Sequence, residues 1–129
     1  MIAETASSGA ILASYACDAS GRLFSMRRGG DTHFYRLDAR GDVVALAGSS
    51  GAVVNAHTSD PWGAPLPAHE PLPGPCRHAS CRCDAPAGLS WCWNRYYAPA
   101  LARFLTRDIW PGELSDPVSM NPYLVIRAE

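Results

Sequence analysis

Four cysteines and a histidine fall within a short stretch, Cys76-x-His78-x-x-Cys81-x-Cys83 and Cys92. These are soft ligands, enough in number for a tetrahedral zinc site. The spacing contains a C-x-C step in place of the paired knuckles that mark zinc sites. With Cys17 the total is five, an odd count that is awkward for a disulfide framework. Structural cysteines are therefore the preferred reading, with zinc as the alternative. His33, His57, His69 and His78 are scattered, and no G-x-S-x-G elbow supports a nucleophile. His57 reads as a packed or half-exposed strand residue. The aromatics Trp91, Trp93, Tyr96, Tyr97, Phe104 and Trp110 could form a carbohydrate-binding face, but core packing is the commoner use of such residues. No catalytic residue, metal ligand or cofactor is assigned.

The elements that would position these residues are short. The chain has 129 residues, 47% hydrophobic and 18% charged, which suits one folded domain. Eleven basic residues, all arginine, face twelve acidic ones for a formal charge of -1. That balance argues against nucleic acid or an anionic membrane as partner. The start, Met1-Ile2-Ala3-Glu4, lacks a basic n-region and a long apolar run, so no signal peptide is expected. No stretch is long enough to span a membrane.

A repeat near twenty residues organises the first half. Tyr15-Ala16-Cys17-Asp18-Ala19-Ser20-Gly21 recurs as Tyr35-Arg36-Leu37-Asp38-Ala39-Arg40-Gly41, and more loosely as His57-Thr58-Ser59-Asp60-Pro61-Trp62-Gly63. Asp followed three residues later by Gly is turn chemistry, with the carboxylate bonding backbone ahead of it. Short apolar runs between the turns predict antiparallel strands. The clearest hairpin is Val43–Ala47, turn 48–51, then Ala52–Asn55, and a second turn lies at Arg28–Asp31. Six prolines between Pro61 and Pro75 predict a stiff connector, with a PxxP ligand as the alternative. Pro99–Leu105 reads locally as a short helix.

Two stretches resemble a known family. Tyr96-Tyr97-Ala98-Pro99 through Ala102-Arg103-Phe104 and Asp108 is similar to the core signature of RHS (YD-repeat) proteins. His33-Phe34-Tyr35-Arg36-Leu37-Asp38 through Gly41 to Leu46 resembles that family's repeat. Asp60-Pro61-Trp62-Gly63 resembles its DPxG turn, and Ser115–Tyr123 its closing segment. The resemblance covers about residues 15 to 124. It implies an all-β fold of antiparallel hairpin repeats with little helix, part of a hollow shell around a C-terminal toxin domain. The expected organisation is a poorly ordered segment 1–14, repeats 15–63, a Pro-rich connector 64–79, an aromatic-rich core motif 80–124 and a truncated tail 125–129. The implied role is a non-catalytic structural fragment, with a self-standing glycan or zinc module as the alternative. The implied partners are the remainder of the shell, neighbouring repeats and a toxin cargo. The family is bacterial, on cell surfaces or secreted.

The departures are specific. The aromatic expected before each Asp is replaced by Cys17, Leu37, Ser59 and Cys83. The family's Asp and Gly become Ala98 and Ala102, and an Ala held at positive φ costs about 1 kcal/mol. These losses point to a degenerate copy that folds poorly by itself. The family's self-cleavage uses two Asp residues in DPxG-like turns. Asp108 fits the first imperfectly and Asp116 is too near to serve as the second, so Asp108 is expected to be a turn residue.

Overall fold

Each Asp-x-x-Gly unit closes the same turn, and those turns set the architecture. The structure is a computed structural model describing residues 2–92 and 94–124; Met1, Trp93 and the tail 125–129 lie outside the described residues. Asp38 Oδ1 accepts from the Arg40 and Asp42 N–H groups at 2.9 Å each. Asp18 does the same for Ser20 and Arg22, and Asp60 for Trp62 and Ala64. Each carboxylate thus satisfies two backbone donors that the reversal of the chain leaves unpaired. Gly41 donates back to the Asp38 carbonyl at a φ of +84°, a value that strongly favours glycine. Two further turns, Ala6–Gly9 and Gly48–Gly51, keep the backbone bonds without the carboxylate.

Six strands follow from these turns: β1 Ile2–Thr5, β2 Ile11–Cys17, β3 Leu23–Arg28, β4 Asp31–Leu37, β5 Val43–Ala47 and β6 Val53–Ala56. They form one antiparallel meander in chain order. The expected hairpins around 28–31 and 48–51 are both present. Three residues after the turn glycine, one residue of each returning strand has no cross-strand partner: Leu12, Phe24, Val44 and Val54. This bulge shifts the side-chain alternation, so that Leu23 and Met26, then Val43 and Leu46, turn to the same buried side. Leu12, Phe24 and Val44 are left exposed. Ala13 and Tyr15 complete the core, with Tyr35 and Leu37 packed against it.

The proline-rich segment does more than connect. Its non-proline residues bond to the sheet: Asn55 Nδ2 donates to the Leu72 carbonyl at 2.7 Å, and the Leu72 N–H returns a bond to Asn55 Oδ1. The Ala56 N–H donates to the His69 carbonyl and the Val43 N–H to the Arg77 carbonyl. Leu72 and Cys76 thereby reach the core of the meander.

A second sheet, in the order β10-β9-β8-β7, comprises β7 Arg82–Asp84, β8 Leu89–Cys92, β9 Arg95–Ala98 and β10 Arg103–Phe104. The helix expected over Pro99–Leu105 is absent. One 3-10 turn, Pro99–Leu101, ends at Ala102 with φ of +53°, and the chain reverses into β10. Cross-strand bonds explain the difference: the Leu105 N–H donates to the Tyr96 carbonyl, and Phe104 is buried. Tertiary pairing overrides a weak local preference. The fold is all-β, as the repeats imply. Among the described residues no helix is long and apolar enough to cross a membrane.

Candidate functional site

The residues singled out by their chemistry do not converge on one centre. Cys81 and Cys92 form a disulfide between the residue before β7 and the end of β8, with their Cα atoms 4.7 Å apart. Cys76 sits in the first core, where burial pushes its thiol up to about 11. Cys83 lies half-buried on β7, and burial raises its pKa too. Cys17 is exposed. Among the described residues, no group of three or more His, Cys, Asp or Glu is placed to hold a metal ion.

His78 comes closest to a constellation. Its Nδ1 lies 3.0 Å from Asp42 Oδ1, with both side chains almost fully buried. The contact is at ion-pair distance but not aligned as a hydrogen bond, and Nε2 has no hydrogen-bond partner either among the described residues. Asp42 is held by the Ala79 N–H at 2.6 Å and by Arg40 Nη2 at 2.8 Å. The ring of His78 stacks on Tyr97, with centroids 5.3 Å apart, and Tyr97 donates its hydroxyl to the Trp62 carbonyl. Only a glycine fits at position 63, because a Cβ there would lie 2.4 Å from the His78 ring. Ala79 and Ser80 follow at φ of +47° and +57°, a strained pair held by the bonds to Asp42 and to the Gly41 carbonyl. This cluster joins the Asp38–Asp42 and Asp60–Gly63 turns of the meander to the second sheet.

A parallel latch lies beside it. His57 Nδ1 is 2.8 Å from Glu70 Oε1, and Arg77 pairs with the other oxygen of Glu70. His57 is pushed below its ordinary value, mainly because burial disfavours the imidazolium. The gap between His57 and His78 measures about 10 Å³, at the limit of what one water needs. These groups therefore fasten the proline-rich strap to the repeats. Asp42, Glu70 and Arg77 were not legible as partners, since the pairs are 13 and 36 residues apart and no motif links them.

Asp108 is a turn residue as expected. Its Oδ1 accepts from the Trp110 N–H, and its other oxygen pairs with Arg95 at 2.8 Å. Asp116 accepts from the Val118 N–H and caps a 3-10 turn, Pro117–Met120.

The second sheet has two unlike faces. Tyr97, Phe104 and Ser90 point inward and are buried. Arg82, Trp91 and Tyr96 lie opposite one another across β7, β8 and β9, and Leu105 continues the row. All four are exposed. Trp91 and Tyr96 meet edge to face at 4.7 Å and line an open cleft of about 590 Å³ with Arg82, Asp84 and Pro86. Trp93, proposed for the same face, lies outside the described residues.

No family model matches the chain. It is 33% identical over 123 residues to the tRNA3(Ser)-specific nuclease WapA of Bacillus spizizenii, and 32% over 123 residues to the tRNA nuclease WapA of Bacillus subtilis strain 168. Each match covers 93% of this chain and 5% of the relative, so the chain spans about a twentieth of the length of these curated relatives. Its fold is similar to a segment of the TcdB2-TccC3-Cdc42 crystal structure, with a TM-score of 0.71 at 16% identity over 88% of this chain and 6% of that one. It is also similar to TcdB2-TccC3 without its hypervariable C-terminal region, with a TM-score of 0.67 at 17% identity over 92% of this chain and 6% of that one. The chain is RHS-related. The expectation that the chain is a non-catalytic fragment and not an enzyme is contradicted, because relatives a third identical over nearly its full length are named tRNA nucleases.

Proposed function

We propose that this chain is a wall segment, of the RHS-associated core type, in the shell of a larger toxin-bearing protein, and that the larger protein acts as a nuclease. One observation carries the reading. The same fold is matched in a TcdB2-TccC3 structure that lacks the hypervariable C-terminal region, over 92% of this chain, so the matched segment is distinct from that region. The construction agrees with it. A meander of short hairpins with one buried face, linked by a latch to a second small sheet, is a unit that extends by repetition, as a shell wall requires. The organisation into repeats 15–63, strap 64–79 and core motif 80–124 fits the same reading, as does cargo enclosed by the remainder of the shell.

The test is a graft. Residues 2–124 replace the aligned segment of the Bacillus subtilis WapA protein, and protection of its cargo from added protease is measured. A wall segment keeps the cargo protected, and the double variant His78→Ala with Tyr97→Ala, which unfastens the two sheets, exposes it. Equal cargo digestion with the graft and with the segment deleted, in a particle that still assembles, would sink the proposal. Assays of tRNA cleavage on the chain and on the graft locate the activity within the larger protein.

A further inference from the structure

The net charge of the whole chain hides an uneven distribution. Residues 77–107 contain five arginines and a single acidic residue, Asp84, although the full sequence carries -1. Two of those arginines are committed, Arg77 to Glu70 and Arg95 to Asp108. Arg82, Arg103 and Arg107 remain exposed, and none forms an ion pair among the described residues. Arg82 and Arg103 stand on the outward face of the second sheet, on its outermost strands β7 and β10, whose far sides are bonded by residues 75–76 and by Tyr123. Arg82 is in register with Trp91 and Tyr96, while Arg103 pairs with Ala98, two residues along from Tyr96 on the same side. Arg103 lies 4.5 Å over the Tyr123 ring, which props its guanidinium at the rim.

From this arrangement we infer that the open face of the second sheet binds single-stranded RNA. An antiparallel sheet that exposes aromatic side chains on adjacent strands, flanked by cations, matches the chemistry of unpaired nucleotides: bases stack on the rings and phosphates meet the arginines. Trp91 and Tyr96 each have a relative exposure of 40%, high for side chains at the middle of a sheet. They spread over an open cleft with room for bases. The row from Arg82 to Leu105 crosses four strands, a width of about 14 Å at the usual strand spacing. Asp84 shares this face and repels phosphate, so the backbone runs along the arginine rims while the carboxylate accepts a hydrogen bond from a base N–H, the N3–H in the case of uracil. RNA is favoured over a neutral glycan because a glycan needs the rings but not the surplus of arginine. This inference goes beyond the wall reading and is independent of it, since a wall segment could present this face or leave it empty.

The experiment uses the full chain and a fluorescein-labelled oligouridylate of about twelve nucleotides, followed by anisotropy at several salt concentrations. Wild-type chain binds, more weakly as salt rises. Trp91→Ala with Tyr96→Ala weakens binding at least about tenfold, while Trp91→Phe with Tyr96→Phe retains most of it, because the phenyl ring still stacks. Arg82→Gln lowers the slope of log K against log salt by about 0.7, the contribution of one single-strand phosphate. If the alanine pair unfolds by circular dichroism, Trp91→Leu with Tyr96→Leu, which keeps apolar bulk and removes the stacking rings, takes its place and weakens binding likewise. Absence of RNA binding, binding indifferent to Arg82→Gln and to removal of both aromatic rings, or binding of a neutral chitotetraose but not RNA at this face would each overturn the inference.

Discussion

The two sheets solve the same problem with different means. The six-stranded meander depends on local chemistry repeated along the chain: an Asp carboxylate bonding two N–H groups, a glycine at positive φ, and a bulge that turns the next apolar pair inward. Its core is continuous from Ala13 and Tyr15 to Leu46. The second sheet has short strands, two to four residues long, and a small inner face built around Tyr97 and Phe104. It is held by a disulfide, by Arg95 stacked 3.6 Å over the Phe104 ring and paired to Asp108, and by the His78–Tyr97 contact to the meander. The meander has ion pairs of its own, Arg28 with Glu4 and Arg40 with Asp42, but among the described residues the covalent tie belongs to the sheet of short strands. Stability should therefore fail differently in the two regions.

The largest effect is expected in the meander. Met26 is fully buried between the hairpins, so Met26→Ala should cost about 2–5 kcal/mol in a denaturant melt, and the loss should appear in the amide protection of β2 to β5. An effect confined to β7–β10 would break the comparison. Removing the disulfide with Cys81→Ser and Cys92→Ser should cost about 3 kcal/mol by the loop-entropy estimate. Here hydrogen exchange should accelerate in β7–β9 and leave the meander nearly unchanged. A uniform loss would show one cooperative unit instead of two.

Ala102→Gly should act in the opposite direction. At φ of +53° the alanine is strained, and glycine there should stabilise the second sheet by about 1 kcal/mol, read as a higher melting temperature. The smallest effect concerns pH. Burial lowers the His57 pKa from 6.5, so the folded state holds fewer protons than the unfolded chain just below that pH. Its contribution is present above about pH 6.5 and is lost as the pH falls through the depressed folded value. The strap should loosen first, and His57→Asn should flatten the dependence of melting temperature on pH between about 7 and 5.

The meander was legible because its determinants are close in sequence. Asp18, Asp38 and Asp60 act on donors two and four residues away, and Gly21, Gly41 and Gly63 act on their own φ. The family resemblance added the likeness of residues 96–108 to a core signature. It correctly marked Ala102 as a replaced glycine, since that residue occupies the left-handed conformation. No helix forms over Pro99–Leu105 because Phe104 pairs with Tyr97 and the Phe104 and Leu105 N–H groups bond to the Tyr123 and Tyr96 carbonyls, partners that helix propensity does not weigh. The connector 64–79 was read as a spacer because proline count describes stiffness but not where Leu72 and Cys76 dock.

Sequence by itself determined the turns, the strand-rich class and the family likeness, because each depends on bonds spanning a few residues. Tertiary structure decided which cysteines pair, which carboxylates meet His57 and His78, and which face of the second sheet stays open. Those outcomes depend on register between strands and on burial, which pick partners by position in space. The formal charge of -1 was a true property of the sequence, but the pairing of Arg77 and Arg95, and the exposure of Arg82 beside Trp91 and Tyr96, arise only once the strands align.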